Sequence, residues 1–422
     1  MRLGIGGLFG LLDDRPFFKN NVIASAGTLV TLFLAYLFHF VVTRILPQSE
    51  YGDLSVLVGV FSVVSIPAAS VSAVLTRELS KLEAAGRQKE LNYVLKKYLK
   101  NTIMLSSLLF VGVAVAGLFV YKSWQLQLGL AIIALGIPAA YYTNLATSYF
   151  QAKEKITVLM LIGIAREACK LAAAVLLVTA GWGLAGGAAS FPIGFFAVAI
   201  AIAFYFSKRL AGGVRHEISL RRSFFLMMAA SVLYSAFMYL DLFFVKALTG
   251  SVYAGIYNVA SVTGKMLFYM STGMVLVTFP KSSKLSYAKH PEVIRQVVVK
   301  TAALLLPLLA VFVLLPGQIL SIFYPPEYAP AAPVLSLLAV GVFFYAVFII
   351  LMNVMWSQNQ EVFPLVLLAG ALAVHAGLLS LLIPRMQLQG AALATVLSSF
   401  LLASAAAAHV WKSTRAKTQP AG

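Results

Sequence analysis

Apolar residues run along this chain in long blocks, and the polar residues fall mainly in the short stretches between them. A helix that crosses the hydrocarbon core of a bilayer needs about 20 consecutive, mostly apolar residues. Blocks of that length lie near 20–45, 53–77, 101–121, 127–150, 156–179, 184–206, 223–248, 253–279, 300–322, 331–356, 361–383 and 388–411, which predicts twelve transmembrane helices. The fold class expected is therefore an all-α polytopic membrane protein. The first block is too long for a cleaved leader and reads as a mature span.

Within some blocks the polar positions are periodic. Tyr257, Ser261, Lys265 and Tyr269 are four apart and share one face of the eighth span. Ser25, Thr28, Tyr36, His39 and Thr43 form a stripe on the first span, and Tyr141, Asn144, Ser148 and Gln151 one on the fourth. Residues 80–100, SKLEAAGRQKELNYVLKKYLK, are basic and amphipathic. They read either as an interfacial helix or as a solvated extension of the third span.

The halves repeat weakly. A shift of 203 carries Gly52 onto Gly255, and a shift of 204 carries Leu184, Gly186, Ala188 and Phe196 onto Leu388, Gly390, Ala392 and Phe400. Six spans per repeat is even, so both halves enter from the same side and the repeat is parallel, 6+6, about an axis along the membrane normal. The expected units are an N-terminal bundle (1–206), a linker (207–222), a C-terminal bundle (223–411) and a tail (412–422).

Composition agrees with this reading: 61% of the 422 residues are hydrophobic and 11% charged, against roughly half and a quarter in soluble domains. The formal charge of +18 is explained by its distribution. With the N-terminus inside, 25 Lys and Arg fall in inner loops and tails and four outside, Arg44, Lys122, Lys246 and Arg385. That asymmetry places both termini in the cytoplasm of a cell-membrane protein and turns the charge toward anionic lipid rather than nucleic acid. A lone Cys169 excludes an internal disulfide, and it packs within a span.

Three cations lie inside spans: Arg166, Lys170 and Lys265. A charge at mid-helix costs about 2.5–3.5 kcal/mol on insertion scales, so it faces protein or water. Arg166 and Lys170 share one face of the fifth span, and Glu167 reaches Lys170 as an i,i+3 pair, which leaves one cation over. A wet cavity suited to an anion is the favoured reading, with a structural ion-pair network to another helix as its competitor. Lys265 and its tyrosines suit a sugar and phosphate path, or a polar seam between helices. His39 titrates near neutral pH or, more simply, hydrogen-bonds a neighbouring helix, as His375 does on the same reading. Asn144 and its stripe line a mouth or pair with neighbouring helices. Asp241, in the outer third of the seventh span, has three open roles: an ion pair, a hydrogen bond to sugar, or binding of a coupling H+ or Na+, for which Glu167 is a second candidate. Five residues apart, Asp241 and Lys246 diverge on a helix and do not pair. Pro67, Pro138, Pro192 and Pro364 mark possible kinks.

Several stretches resemble a known family. RILPQSEYGDLSVL (44–57), DLFFVKALTGSVYAGIYNVA (241–260) and FYPPEYAPAAPVLSLLAVG (323–341) are similar to inter-span turns of the polysaccharide transporters, the lipid-linked oligosaccharide flippases. The resemblance implies two six-helix bundles in a V, a fold shared with multidrug extruders and lipid II flippases. It implies a substrate, a glycan on a polyprenyl diphosphate, moved from the cytoplasmic to the outer leaflet by alternating access. It also implies membrane lipids and other polysaccharide-assembly membrane proteins as partners. Lipid II flippases usually carry two further helices, for which this chain has no room. Relatives place cavity arginines in the first two spans, whereas here His39, Arg44 and Arg77 stand near those places without matching them.

No G-x-x-x-x-G-K-[ST] loop and no H-E-x-x-H spacing occurs, which argues against an ATPase or a metalloenzyme, and no cofactor is expected. No loop is long enough for a catalytic domain, so an enzyme of glycan polymerisation is disfavoured. An ion-coupled drug antiporter of the same fold is the main alternative. It needs buried carboxylates for cationic drugs, and the in-span balance of Glu167 and Asp241 against three cations favours an anionic substrate.

Overall fold

A computed structural model of the chain describes residues 15–210, 212–216, 222–282, 291–357, 360 and 362–415. Every regular element among them is helical. In chain order the helices are α1 (Arg15–Ile45), α2 (Gln48–Ser65), α3 (Pro67–Ala84), α4 (Gln88–Val120), α5 (Trp124–Ala134), α6 (Gly136–Ala152), α7 (Ile156–Leu177), α8 (Gly183–Ser207), α9 (Arg222–Thr249), α10 (Ser251–Ser282), α11 (Pro291–Leu314), α12 (Pro316–Phe323), α13 (Ala332–Ser357) and α14 (Val362–Arg415). Among the described residues eight helical stretches are long and apolar enough to cross a membrane, or nine if the bent pair Leu305–Leu314 and Pro316–Phe323, at 81°, is one span. Twelve spans were expected.

Two of the eight stretches, 156–207 and 362–412, are 52 and 51 residues long, and each is a hairpin. Ser398 and His375 are 23 residues apart on α14, yet their side chains lie 2.8 Å from each other. A straight helix would separate them by roughly 34 Å at 1.5 Å per residue. The chain turns back at Gln387, whose φ and ψ are 48° and −126°. The other hairpin turns at Gly183, with φ and ψ of 48° and −130°. These positions are 204 apart, the same offset that aligns Gly186 with Gly390, so the internal repeat extends to the backbone angles of its turns. A side chain in this left-handed region costs on the order of 1–3 kcal/mol. Gln387→Gly should therefore raise the thermal midpoint of the purified protein, and Gly183→Gln should lower it. Equal midpoints for the two variants and the wild type would refute this account.

Proline explains two further breaks. Pro67 has no N–H to give the carbonyl of residue 63, so the second span divides at Ile66 into α2 and α3. The Tyr141 hydroxyl donates to the Val64 carbonyl at 2.8 Å, meeting a backbone acceptor at the break. Near Pro138 the fourth span divides at Leu135 into α5 and α6. Pro192 lies inside a continuous α8, and Pro364 within the first turn of α14. Residues 80–100 are not a separate interfacial helix. Residues 80–84 end α3, a turn at Gly86 (φ +69°) follows, and 88–100 run unbroken into α4.

The chain forms two compact units, residues 1–45 with 64–220, and residues 46–63 with 221–422. The division differs from the expected bundles in one place: 46–63 pack with the C-terminal residues. The first unit is built on α1 against α7, the α7–α8 hairpin, and α6 against α3, α4 and α8. Its core at the basic end joins Leu75, Leu79, Leu95, Leu145, Phe150 and Phe206. Of the expected linker, residues 212–216 lie on α4, where the Val214 N–H donates to the Lys89 carbonyl at 3.2 Å; residues 211 and 217–221 lie outside the described residues. The second unit is built on α13 against α14, α10 and α11, with α9 against α14. Phe237, Leu267, Tyr345, Phe348, Met355 and Leu402 fill its core.

In the second unit α2 crosses α10 at the two repeat-related glycines. A Cβ on Gly52 would overlap the Ser251 carbonyl, and one on Gly255 would come within 2.6 Å of the Gln48 carbonyl. Around the crossing Lys246 binds Asp53 and Ser251, and Asn258 donates to the Tyr51 hydroxyl at 2.9 Å.

Candidate functional site

Each unit holds a cluster of charged side chains within its apolar helices. In the second unit Asp241 on α9 is 4% exposed. Its Oδ1 accepts its neighbour's backbone, the Leu242 N–H, at 2.7 Å, and its Oδ2 accepts the Tyr257 hydroxyl at 2.7 Å. Tyr257, Ser261 and Lys265 share the expected face of α10. Tyr257 is buried, whereas Tyr269, one turn beyond Lys265, is 41% exposed and set edge-on to Phe268. Lys265 Nζ lies 4.3 Å from the ring centroid of Tyr239, and among the described residues no carboxylate is within ion-pair distance of it.

Asp241, Ser261 and Lys265 line one cavity with Gly341 and Tyr345 of α13 and Thr395 and Ser399 of α14. Its volume of about 20 Å³ has room for a water or a bare ion and none for a sugar ring. The Ser399 hydroxyl is buried there without a hydrogen-bond partner among the described residues. Behind the cavity His375 stacks on Phe237 at 4.8 Å and joins Ser398 at 2.8 Å, so it is held by the other arm of its own hairpin.

The first unit holds the Arg166–Glu167–Lys170 cluster on α7. Glu167 pairs with Lys170 and also with Arg166, whose Nη2 lies 2.8 Å away. The sequence reading gave Glu167 to Lys170 alone, but the adjacent Arg166 folds back over the same carboxylate. The network is contained in one helix, and its formal charge is +1. Lys170 also lies between the rings of Phe38 and Phe191, at 4.9 and 5.0 Å, and Arg166 lies over Phe195 at 5.1 Å. Gly194 of α8 allows this approach: a Cβ there would stand 2.8 Å from the Arg166 carbonyl and 3.0 Å from the Lys170 Cβ.

His39 is half-buried, edge-on to Phe38. The Asn144 side-chain amide donates to the Ala140 carbonyl of its own helix, and the Asn144 backbone carbonyl accepts the Ser72 hydroxyl of α3 at 2.7 Å. Gln151 accepts Thr76 of α3 at 3.2 Å. Of the fourth-span stripe, Tyr141 and Gln151 are thus tied to neighbouring helices by their side chains, whereas the Asn144 and Ser148 side chains bond to their own helix. Sequence reasoning missed the Asp53–Lys246 pair and the serine and threonine oxygens around Asp241. Repeat-related residues need not touch, so the match of Gly52 with Gly255 gave no sequence signal for the first. The Ser399 and Thr395 hydroxyls had none, being ordinary residues of an apolar helix. Among the described residues no group of three His, Cys, Asp or Glu is placed to hold a metal.

Comparison with known proteins agrees with this architecture. No functionally curated protein matches the chain. An outward-facing multidrug resistance MATE family transporter of the MOP superfamily is 14% identical, covering 95% of this chain and 96% of its own, with a TM-score of 0.69. An inward-facing transporter of that kind is 13% identical over 94% and 100%, with a TM-score of 0.72. A MOP superfamily transporter from Pyrococcus furiosus, whose binding pocket is described as reversed in polarity, is 13% identical over 95% and 96%, with a TM-score of 0.61. These likenesses establish the fold. A family described as polysaccharide biosynthesis protein matches residues 17–286, nearly two thirds of the sequence. The chain, a multi-pass membrane protein with the fold of the MOP superfamily transporters, belongs to the polysaccharide biosynthesis protein family.

Proposed function

We propose that this protein is a flippase that carries a polyprenyl-diphosphate-linked oligosaccharide from the cytoplasmic to the outer leaflet by alternating access, with both termini cytoplasmic. The observation that carries the reading is a polysaccharide biosynthesis sequence on a membrane-exporter fold. The excess of cations within the apolar helices supports an anionic cargo. Lys265 has no carboxylate partner among the described residues, and it is the cation best placed to meet a diphosphate. Arg166 and Lys170 add a net positive field, and the exposed Tyr269 offers a ring face for a sugar. Tyr257 is buried against Asp241, so its part is to hold that carboxylate rather than to stack on cargo.

Asp241 is the proposed coupling residue. A carboxylate, four hydroxyl-bearing residues and a lysine around a water-sized cavity suit a transiently bound H+ or Na+. Glu167, engaged by two cations on its own helix, is poorly placed for that task.

The test is leaflet accumulation in a deletion strain. Lipid-linked oligosaccharide should be trapped on the cytoplasmic side and released by the wild-type gene. A properly inserted Lys265→Ala protein should release much less, and Asp241→Asn should abolish dependence on the ion gradient. No trapping, with increased sensitivity to cationic dyes, would instead mark a drug exporter of the same fold.

A further inference from the structure

At the basic end of the first unit three cations, Lys155, Lys208 and Arg209, have no carboxylate partner among the described residues, although Glu83 there holds Lys153. Lys155 precedes α7, and Lys208 and Arg209 follow α8, so the hairpin brings all three to one end. Lys155 Nζ lies 3.1 Å from the Tyr205 hydroxyl and donates to it. The Arg209 guanidinium lies over the same ring, 4.2 Å from its centroid. Lys208 covers Phe204 at 4.2 Å. Tyr205 itself is held against Phe150, with ring centroids 5.2 Å apart. The neighbouring Lys153 is engaged by Glu83 at 2.9 Å and Gln88 at 2.8 Å. Among the described residues no carboxylate lies within ion-pair distance of Lys155, Lys208 or Arg209, and the exposed Glu154 pairs with none of them.

Two cations converging on one phenol repel each other unless an anion joins them. The apolar surface beside them says which kind of anion. Ile200 and Phe204 are 67% and 64% exposed, and with Lys208 they are four apart on one face of α8. An acyl chain lying along Ile200 and Phe204 would bring its headgroup to Lys208, Arg209 and Lys155. Basic pockets at the cytoplasmic ends of transmembrane helices are suited to such headgroups. We infer that Lys155, Tyr205, Lys208 and Arg209 form a binding site for the phosphate of an anionic membrane lipid. Arg209 supplies bidentate bonds, the lysines act as point charges and the Tyr205 hydroxyl completes the donors. The site stands whether or not the protein is a flippase.

The experiment is native mass spectrometry of the full chain in a neutral detergent, titrated with dioctanoyl phosphatidylglycerol, dioctanoyl phosphatidylcholine and farnesyl diphosphate. The wild type should retain phosphatidylglycerol over phosphatidylcholine. Lys155→Ala with Arg209→Ala should weaken that retention by at least about tenfold, as loss of two charge-assisted bonds requires. The charge-preserving Lys155→Arg should retain it, which separates binding from folding. Lys122→Ala with Arg385→Ala removes the same net charge elsewhere and should change nothing. Displacement of phosphatidylglycerol by farnesyl diphosphate would mean that the site receives a prenyl diphosphate head; no displacement would mean a bilayer phospholipid, and both support the site. Equal retention by the wild type and the double alanine variant, or equal loss in the Lys122 and Arg385 control, would overturn it.

Discussion

Glu167→Gln is expected to remove most of the folded protein from the membrane. Glu167 and Lys170 are 6% and 8% exposed, and Glu167 is the carboxylate that holds both Lys170 and Arg166. Removing one partner of a buried ion pair costs about 3–5 kcal/mol, because the remaining charge stays buried without compensation. Arg166, half-buried at the edge of α8, can turn toward water, but Lys170 is enclosed between Phe38 and Phe191. The measurement is the thermal midpoint of detergent-solubilised protein, read by size-exclusion recovery after heating. A second substitution, Lys170→Met, should restore most of the midpoint by removing the stranded charge while keeping the packing. An unshifted midpoint in Glu167→Gln would show that the network carries no stability. Rescue of folding by Lys170→Met without rescue of glycan export would assign Lys170 to the cargo path.

Gly52→Ala should be nearly as damaging, through sterics alone. The new Cβ would occupy the place of the Ser251 carbonyl, which belongs to a helix backbone and has no rotamer to change. Overpacking of this kind costs about 1–3 kcal/mol. It would also pry apart the Lys246–Asp53 pair and the Asn258–Tyr51 bond, which depend on the close crossing. Gly264→Ala is the matched control. It lies on the same α10, its nearest neighbour to a Cβ is Leu335 at 3.7 Å, and alanine there gains helix propensity of about 0.5–1 kcal/mol. The first midpoint should fall and the second hold or rise; equal effects would remove the close crossing from the explanation.

Much of the fold was legible in the sequence because the bilayer imposes a length. The blocks at 20–45, 223–248 and 253–279 lie within α1, α9 and α10. The repeat was legible too, at Gly186 and Gly390, and the matching turn angles at Gly183 and Gln387 extend it. Hydropathy could not show that 46–63 pack with the later half of the chain, because an apolar helix reads the same whichever bundle receives it. At the candidate sites the four-residue spacing brought Tyr257, Ser261 and Lys265 to one face, and helical divergence kept Asp241 from Lys246. The neighbours around them, Thr395 and Ser399 in the cavity that Asp241 lines and Tyr239 beside Lys265, come from tertiary packing that a linear pattern does not encode.

The crossing of α2 and α10 also sets a schedule for making the protein. Gly52 leaves the ribosome about two hundred residues before Gly255, which at about 5–20 residues per second is a delay on the order of 10–40 s. During that interval the glycine face of α2, with Asp53 beside it, sits in the nascent membrane without its final neighbour. The segment on the far side of Pro67 belongs to the first unit and can settle as soon as α6 arrives. The break at Ile66 therefore separates an early-assembling part of one span from a late one. An insertion chaperone or lipid that shields residues 48–63 would act in that window, before α10 has been synthesised.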